Sequence, residues 1–177
     1  MLRRYKIISV FSCAVIFGAA LSNVAIFQYP TAALSEEKSG MVSQNCATIK
    51  QSLKSLQKTD ARSRSYLGTI YETIITKFIT PMNLRLIDNS QPNASLTDLH
   101  STILAVRKDF VNEYTSYSQS FEELVSMNCK DNPENFYNKL VETRRKRAEV
   151  SSTTTNLRNL FAEYLTIVRK LRGNYEQ

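Results

Sequence analysis

Tryptophan is absent from the 177 residues, histidine occurs once, and glycine and proline number four each. A metal centre built on several imidazoles is therefore excluded, and histidine acid–base chemistry has the single candidate His100. So little glycine and proline disfavours collagen-like, linker-rich and turn-dense all-β chains. Gly-rich phosphate loops, a Gly-X-Ser-X-Gly elbow, a His-Glu-X-X-His pair and EF-hand loops are missing too. The neighbouring acids Glu122 and Glu123 would point about 100° apart on a helix and form no acid–base couple. No pattern implies a cofactor or a metal, and the sequence reads as non-enzymatic. Hydrophobic residues are 42% and charged residues 22%, too apolar for a disordered chain and too mixed for a polytopic membrane protein.

The N-terminus speaks to compartment. Arg3, Arg4 and Lys6 precede an uncharged, largely apolar stretch from Ile7 to Phe27, the layout of an export signal. At about 21 residues this run is also long enough to span a bilayer as a helix. Residues 1–33 are accordingly read as a signal peptide or a single membrane anchor, with small-residue cleavage sites at Ala20-Leu21-Ser22 and Thr31-Ala32-Ala33. Lipid attachment at Cys13 is rejected, since Phe11-Ser12 makes a poor small-residue box and the apolar run continues beyond it. Everything downstream is expected to be extracytoplasmic. Three of the 23 basic residues fall in this leader, so the remainder carries 20 against 16 acids, a net charge of +4 rather than +7.

Residues 34–41 are polar and end near Gly40, which reads as a flexible spacer before a domain of residues 42–177. Three helical stripes follow. The first carries Ile49, Leu53, Leu56, Leu67, Ile70, Ile74 and Phe78 and should stop or kink at Thr80-Pro81, where a short helix through Met82, Leu84 and Leu86 also has a start. The second runs from Leu96 through Leu99, Ile103, Val106, Phe110, Tyr114, Tyr117, Phe121 and Leu124, with Ser95–Asp98 resembling a capping box. Asp131 or Asn132 caps the third, which has Pro133 at its first position and continues through Phe136, Tyr137, Leu140, Leu157, Phe161, Tyr164, Val168 and Leu171. Tyr66 and Tyr71 lie on or beside the first stripe and are assigned to packing. The expected fold is all-α: an antiparallel up-down-up bundle of three long helices behind the apolar leader. A four-helix assembly with a partner or a second copy is the alternative.

Cys46 and Cys129 make an even pair outside the cytoplasm, hence a disulfide. The bundle makes this testable, because Cys46 to Pro81 and Ser95 to Cys129 both rise about 52 Å and bring the sulfurs level. A bridge there closes a loop of roughly 80 residues, contributing on the order of 4 kcal/mol. His100 lies some 43 Å from Cys129 along the second helix, which rules out a Cys–His dyad within one chain and leaves a surface or half-buried position.

Asp60 falls in the seam of the first helix, level with Tyr114 or Tyr117 on the second and with the run 144–147 on the third. An interior carboxylate needs a cation or hydroxyl partner. A polar layer of Asp60, Arg64, Tyr117 and Arg144 or Arg147 is expected, serving helix register. The basic run Arg144, Arg145, Lys146 and Arg147 has two readings. One is a salt-sensitive site for an anionic polymer, phospholipid head groups or nucleic acid. The other is a solvated face balanced by Glu142 and Glu149. Asn93-Ala94-Ser95 fits an N-glycosylation acceptor. The leading functional expectation is a secreted or membrane-anchored structural or protein-interaction module of the cell envelope. Its partner would be another envelope or surface protein, with membrane contact through residues 7–27 if the leader is retained, and homo-oligomerisation is compatible with it.

Overall fold

The computed structural model describes residues 34–91 and 93–175, and these form an all-helical bundle. The leader, Cys13, both cleavage sites and Pro92 lie outside the described residues. Among the described residues no helix is long and apolar enough to cross a membrane. The helices are α1 (Glu36–Gln44), α2 (Cys46–Ile74), α3 (Thr80–Asp88), α4 (Ala94–Ser126) and α5 (Pro133–Tyr175), with a π-helical turn, Ile75–Ile79, joining α2 to α3.

The expected spacer is helical instead. The Ser35 hydroxyl caps α1 by accepting from the Lys38 amide at 3.4 Å, and Glu36 and Glu37 in the first turn face the positive end of the helix dipole. Polar composition hid this, because α1 buries no residue fully. It is tied down from outside: the Ser43 hydroxyl donates to the Lys130 carbonyl at 2.8 Å, and Val42 packs on the core around Cys129.

Proline does not end the second element. The π turn lets the helix run through Pro81, which has no amide to donate and whose ring crowds the carbonyl four residues back. The Thr80 amide donates five residues back to Ile75, the wide-turn pattern. The same turn corrects the stripe. Tyr71, Ile75, Ile79 and Asn83 face inward at intervals of four, which a 3.6-residue helix follows only if one turn is wider, and Phe78 is left 63% exposed. Tyr66 likewise points away from the core, 68% exposed. The polar atoms at this turn are satisfied internally: Asn83 donates to the Ile79 carbonyl at 3.0 Å and to the Tyr164 hydroxyl at 2.9 Å.

α3 ends in a Schellman arrangement. Ser90 takes φ of 56°, its amide donates to Ile87, and the Gln91 amide donates back to Leu86. α4 is capped by Asn93, whose Oδ1 accepts from the Leu96 amide at 3.0 Å, rather than by the Ser95–Asp98 box. Asn93 stands two residues earlier and already has the extended backbone an N-cap requires. Asn132 caps α5, accepting from the Asn135 amide at 3.3 Å.

Side-chain contacts fix the register. Cys46 and Cys129 are bonded with Cα atoms 5.5 Å apart. Further along, Arg107 of α4 pairs with Glu72 of α2 at 2.6 Å, and the Thr80 hydroxyl lies 3.2 Å from His100 Nε2. Between α4 and α5 the buried hydroxyls of Ser120 and Thr143 meet at 2.9 Å. The core has two parts. Leu53, Tyr117, Phe121, Leu124, Cys129 and Phe136 surround the disulfide. The other part is centred on Tyr71, Ile103, Phe110, Leu157 and Phe161, with Val150 packing against both.

Candidate functional site

Between the two core parts lies a polar cluster, and each member comes from a different helix. Asp60, on the inward seam of α2, accepts from the Tyr117 hydroxyl of α4 at 2.5 Å and from Arg147 of α5 at 2.7 and 3.0 Å. The carboxylate keeps only 14% of its side-chain exposure whereas Arg147 keeps 51%, so this is a pair with one wet edge. Burial pushes the Asp60 carboxyl up, but the hydrogen bonds from Arg147 and Tyr117 and the Arg147 charge outweigh it and hold the group below its ordinary value of 3.8. Burial first, and the adjacent carboxylate second, push the Tyr117 phenol well up, which keeps it a proton donor to Asp60.

Of the five residues expected in this layer, the structure brings three together. Arg64 does not reach Asp60; its guanidinium lies over the Tyr114 ring, 5.1 Å from the centroid. Arg144 is exposed and faces away, because the level of Asp60 on α5 falls at Arg147, nearly one turn further along. Sequence pattern missed the hydroxyl pair Ser120–Thr143, though Thr143 sits three residues beyond Leu140 on the same stripe.

Arg145 and Lys146 of the basic run are engaged within their own helix. Arg145 is paired with Glu149, and Lys146 with Glu142 at 3.0 Å. Glu142 also receives Lys139 at 3.0 Å, and Lys139 in turn contacts Glu123 of α4. Arg144 alone of the four makes no hydrogen bond or ion pair among the described residues.

A groove of about 510 Å³ runs between α2 and α4, with Arg64, Tyr71, Phe110 and Gly68 among its lining and the Glu72–Arg107 pair across it. His100 is half-buried, and desolvation pushes its imidazole below the ordinary value of 6.5, favouring the neutral form that contacts Thr80. Among the described residues no three His, Cys, Asp or Glu side chains gather as a metal site would require. The geometry thus defines a disulfide-clipped helical bundle with a hydrogen-bonded ionic clasp at mid-height. No protein-family model matches the chain, and no curated protein or solved structure shows significant similarity to it.

Proposed function

We propose that the chain is a non-enzymatic, extracytoplasmic module of the cell envelope, secreted or held by residues 7–27 as a membrane anchor. In this reading it folds as an up-down-up antiparallel three-helix bundle whose outer faces meet another envelope protein. The observation that carries the reading is the Cys46–Cys129 bridge, with Cys129 fully buried where the α4–α5 turn meets the start of α2. Such a bridge forms and persists where thiols are oxidised, which is outside the cytoplasm. Two further features support it. Asp60 and Tyr117, whose titration is shifted in opposite directions by their contact, are spent on each other and on Arg147, a duty of holding helices in register. Phe78, Leu84 and Ile87 expose more than half of their surface within ten residues, apolar area suited to a protein contact.

Crosslinking in intact cells followed by mass spectrometry, with and without reductant, tests this directly. The expected result is a Cys46–Cys129 linked peptide and a reproducible crosslink to one envelope protein. Two free, alkylatable thiols in untreated cells, or crosslinks to cytoplasmic proteins alone, would overturn the proposal.

A further inference from the structure

Lys50, Lys54, Lys58 and Arg62 recur every fourth residue along α2. At 1.5 Å rise and 100° turn per residue they form a row about 18 Å long with steps of about 6 Å that winds about 120° round the helix from Lys50 to Arg62. Lys54, Lys58 and Arg62 are exposed, and Lys50 is half-buried. None of the four makes a hydrogen bond or ion pair among the described residues. Positions three and four residues away from each hold no acid, and the one acid in the first two-thirds of α2, Asp60, is turned inward onto Arg147 and Tyr117. Other unpaired cations such as Lys77 and Lys108 have no second cation at helical spacing. Like charges at successive turns repel and destabilise a helix. The row is therefore an unfavourable arrangement that nothing among the described residues offsets.

The surroundings select the occupant. Ala47, Gln51 and Ser55 line the shallow depression beside Lys50, Lys54 and Lys58, so along the three lysines the surface offers no aromatic or large aliphatic anchor, and the exposed Tyr66 stands alone one turn past Arg62. Protein interfaces are depleted in lysine and rely on aromatic, methionine and arginine side chains, and an interfacial membrane helix needs an apolar face to bury. A one-residue-wide file of flexible point charges on a neutral polar background suits a thin, flexible chain of regularly repeated negative charge.

We infer that the Lys50, Lys54, Lys58 and Arg62 row is a binding surface for a linear polyanion of phosphate or phosphodiester units. This goes beyond the envelope reading and does not depend on compartment. Attraction comes from charge neutralisation with release of counterions, so affinity falls with salt at a log–log slope of about −3 for four contacts on a flexible chain.

The test uses the full 177-residue chain in neutral-detergent micelles and fluorescently labelled inorganic polyphosphate, read by anisotropy across a salt series. The wild type is expected to bind with the slope given above. The quadruple variant K50Q/K54Q/K58Q/R62Q should lose affinity about a hundredfold or more at low salt, since all four phosphate contacts and their counterion release are removed. Glutamine is a good helix former, and unchanged circular dichroism would show that the loss is not one of folding. R144Q/R145Q/K146Q should bind as the wild type does. The inference is overturned if the quadruple variant binds normally, if the second variant loses as much, or if affinity ignores salt. It is equally overturned if an acidic peptide or anionic phospholipid micelles are bound and polyphosphate is not.

Discussion

Two sets of four cations in this protein carry the same formal charge and have opposite fates. Arg144, Arg145, Lys146 and Arg147 are consecutive, and three of them are engaged by Glu149, Glu142 and Asp60. Lys50, Lys54, Lys58 and Arg62 are dispersed through thirteen residues of sequence and form one winding row, with no ion-pair partner among the described residues. Consecutive helix residues point about 100° apart and spread around the helix, so that Arg145 and Lys146 each find an acid a turn away and Arg147 meets Asp60 of α2, whereas residues four apart drift by only about 40° per step and stay neighbours. Charge density along a sequence and free charge in space are thus different quantities.

The largest effect that separates the two regions should come from the disulfide, since Cys46 lies one turn before Lys50. Replacing Cys46 and Cys129 by serine is expected to reduce unfolding free energy by about 4 kcal/mol for a span of 83 residues, measured by urea denaturation. Hydrogen exchange in the same variant should quicken around Lys50 and stay slow around Lys146; equal quickening would erase the distinction between the regions.

A smaller loss is expected from Asp60→Asn. It removes the charged acceptor of Tyr117 and Arg147 and should cost about 2 kcal/mol by the same urea assay, the scale of hydrogen bonds to a charged group. It would also release Arg147, so R144Q/R145Q/K146Q in this background should show a measurable Arg147 contribution to polyphosphate binding. Wild-type stability in Asp60→Asn would mean that the clasp does no structural work.

The same clasp gives a pH signature. Because the folded-state Asp60 carboxyl titrates below its unfolded value, its stabilisation is fully present above that unfolded value, near 3.9. It is lost as pH falls through the lower folded-state value. Denaturation midpoints should decline in this acid window in the wild type, with a shallower decline in Asp60→Asn; parallel profiles would contradict the assignment.

The smallest effect has the opposite sign. Lys54→Glu replaces two like-charge contacts, with Lys50 and Lys58, by two attractive ones at helical spacing. Stability is expected to rise by roughly 0.5 kcal/mol while polyphosphate affinity falls. A destabilised Lys54→Glu would show that the row is compensated within the fold after all.

Much of the fold was legible because burial imposes periodicity. The α4 stripe from Leu96 to Leu124 and the equal rise of the arms ending at Cys46 and Cys129 follow from helix geometry alone. What escaped was what departs from that geometry. The π turn moves Ile79 inward and Phe78 outward, and no 3.6-residue pattern contains that shift. α1 escaped because its stability is borrowed from a cap and from neighbours distant in sequence, such as Lys130. In the polar cluster Asp60 and Tyr117 were readable from level-matching, whereas choosing Arg147 over Arg144 required the rotation of α5. The α2 row was readable from its four-residue spacing, a signal outshone by the denser run on α5.

Lysine acylation kinetics on the folded full-length chain, resolved residue by residue by mass spectrometry, weighs the two regions most directly. Lys54 and Lys58 are expected to react several-fold faster than Lys146 and Lys139, whose ammonium groups are held by Glu142 and, for Lys139, also by Glu123. Equal rates at all four, or faster reaction at Lys146, would contradict the claim that the α2 lysines are free while those of α5 are held by acids.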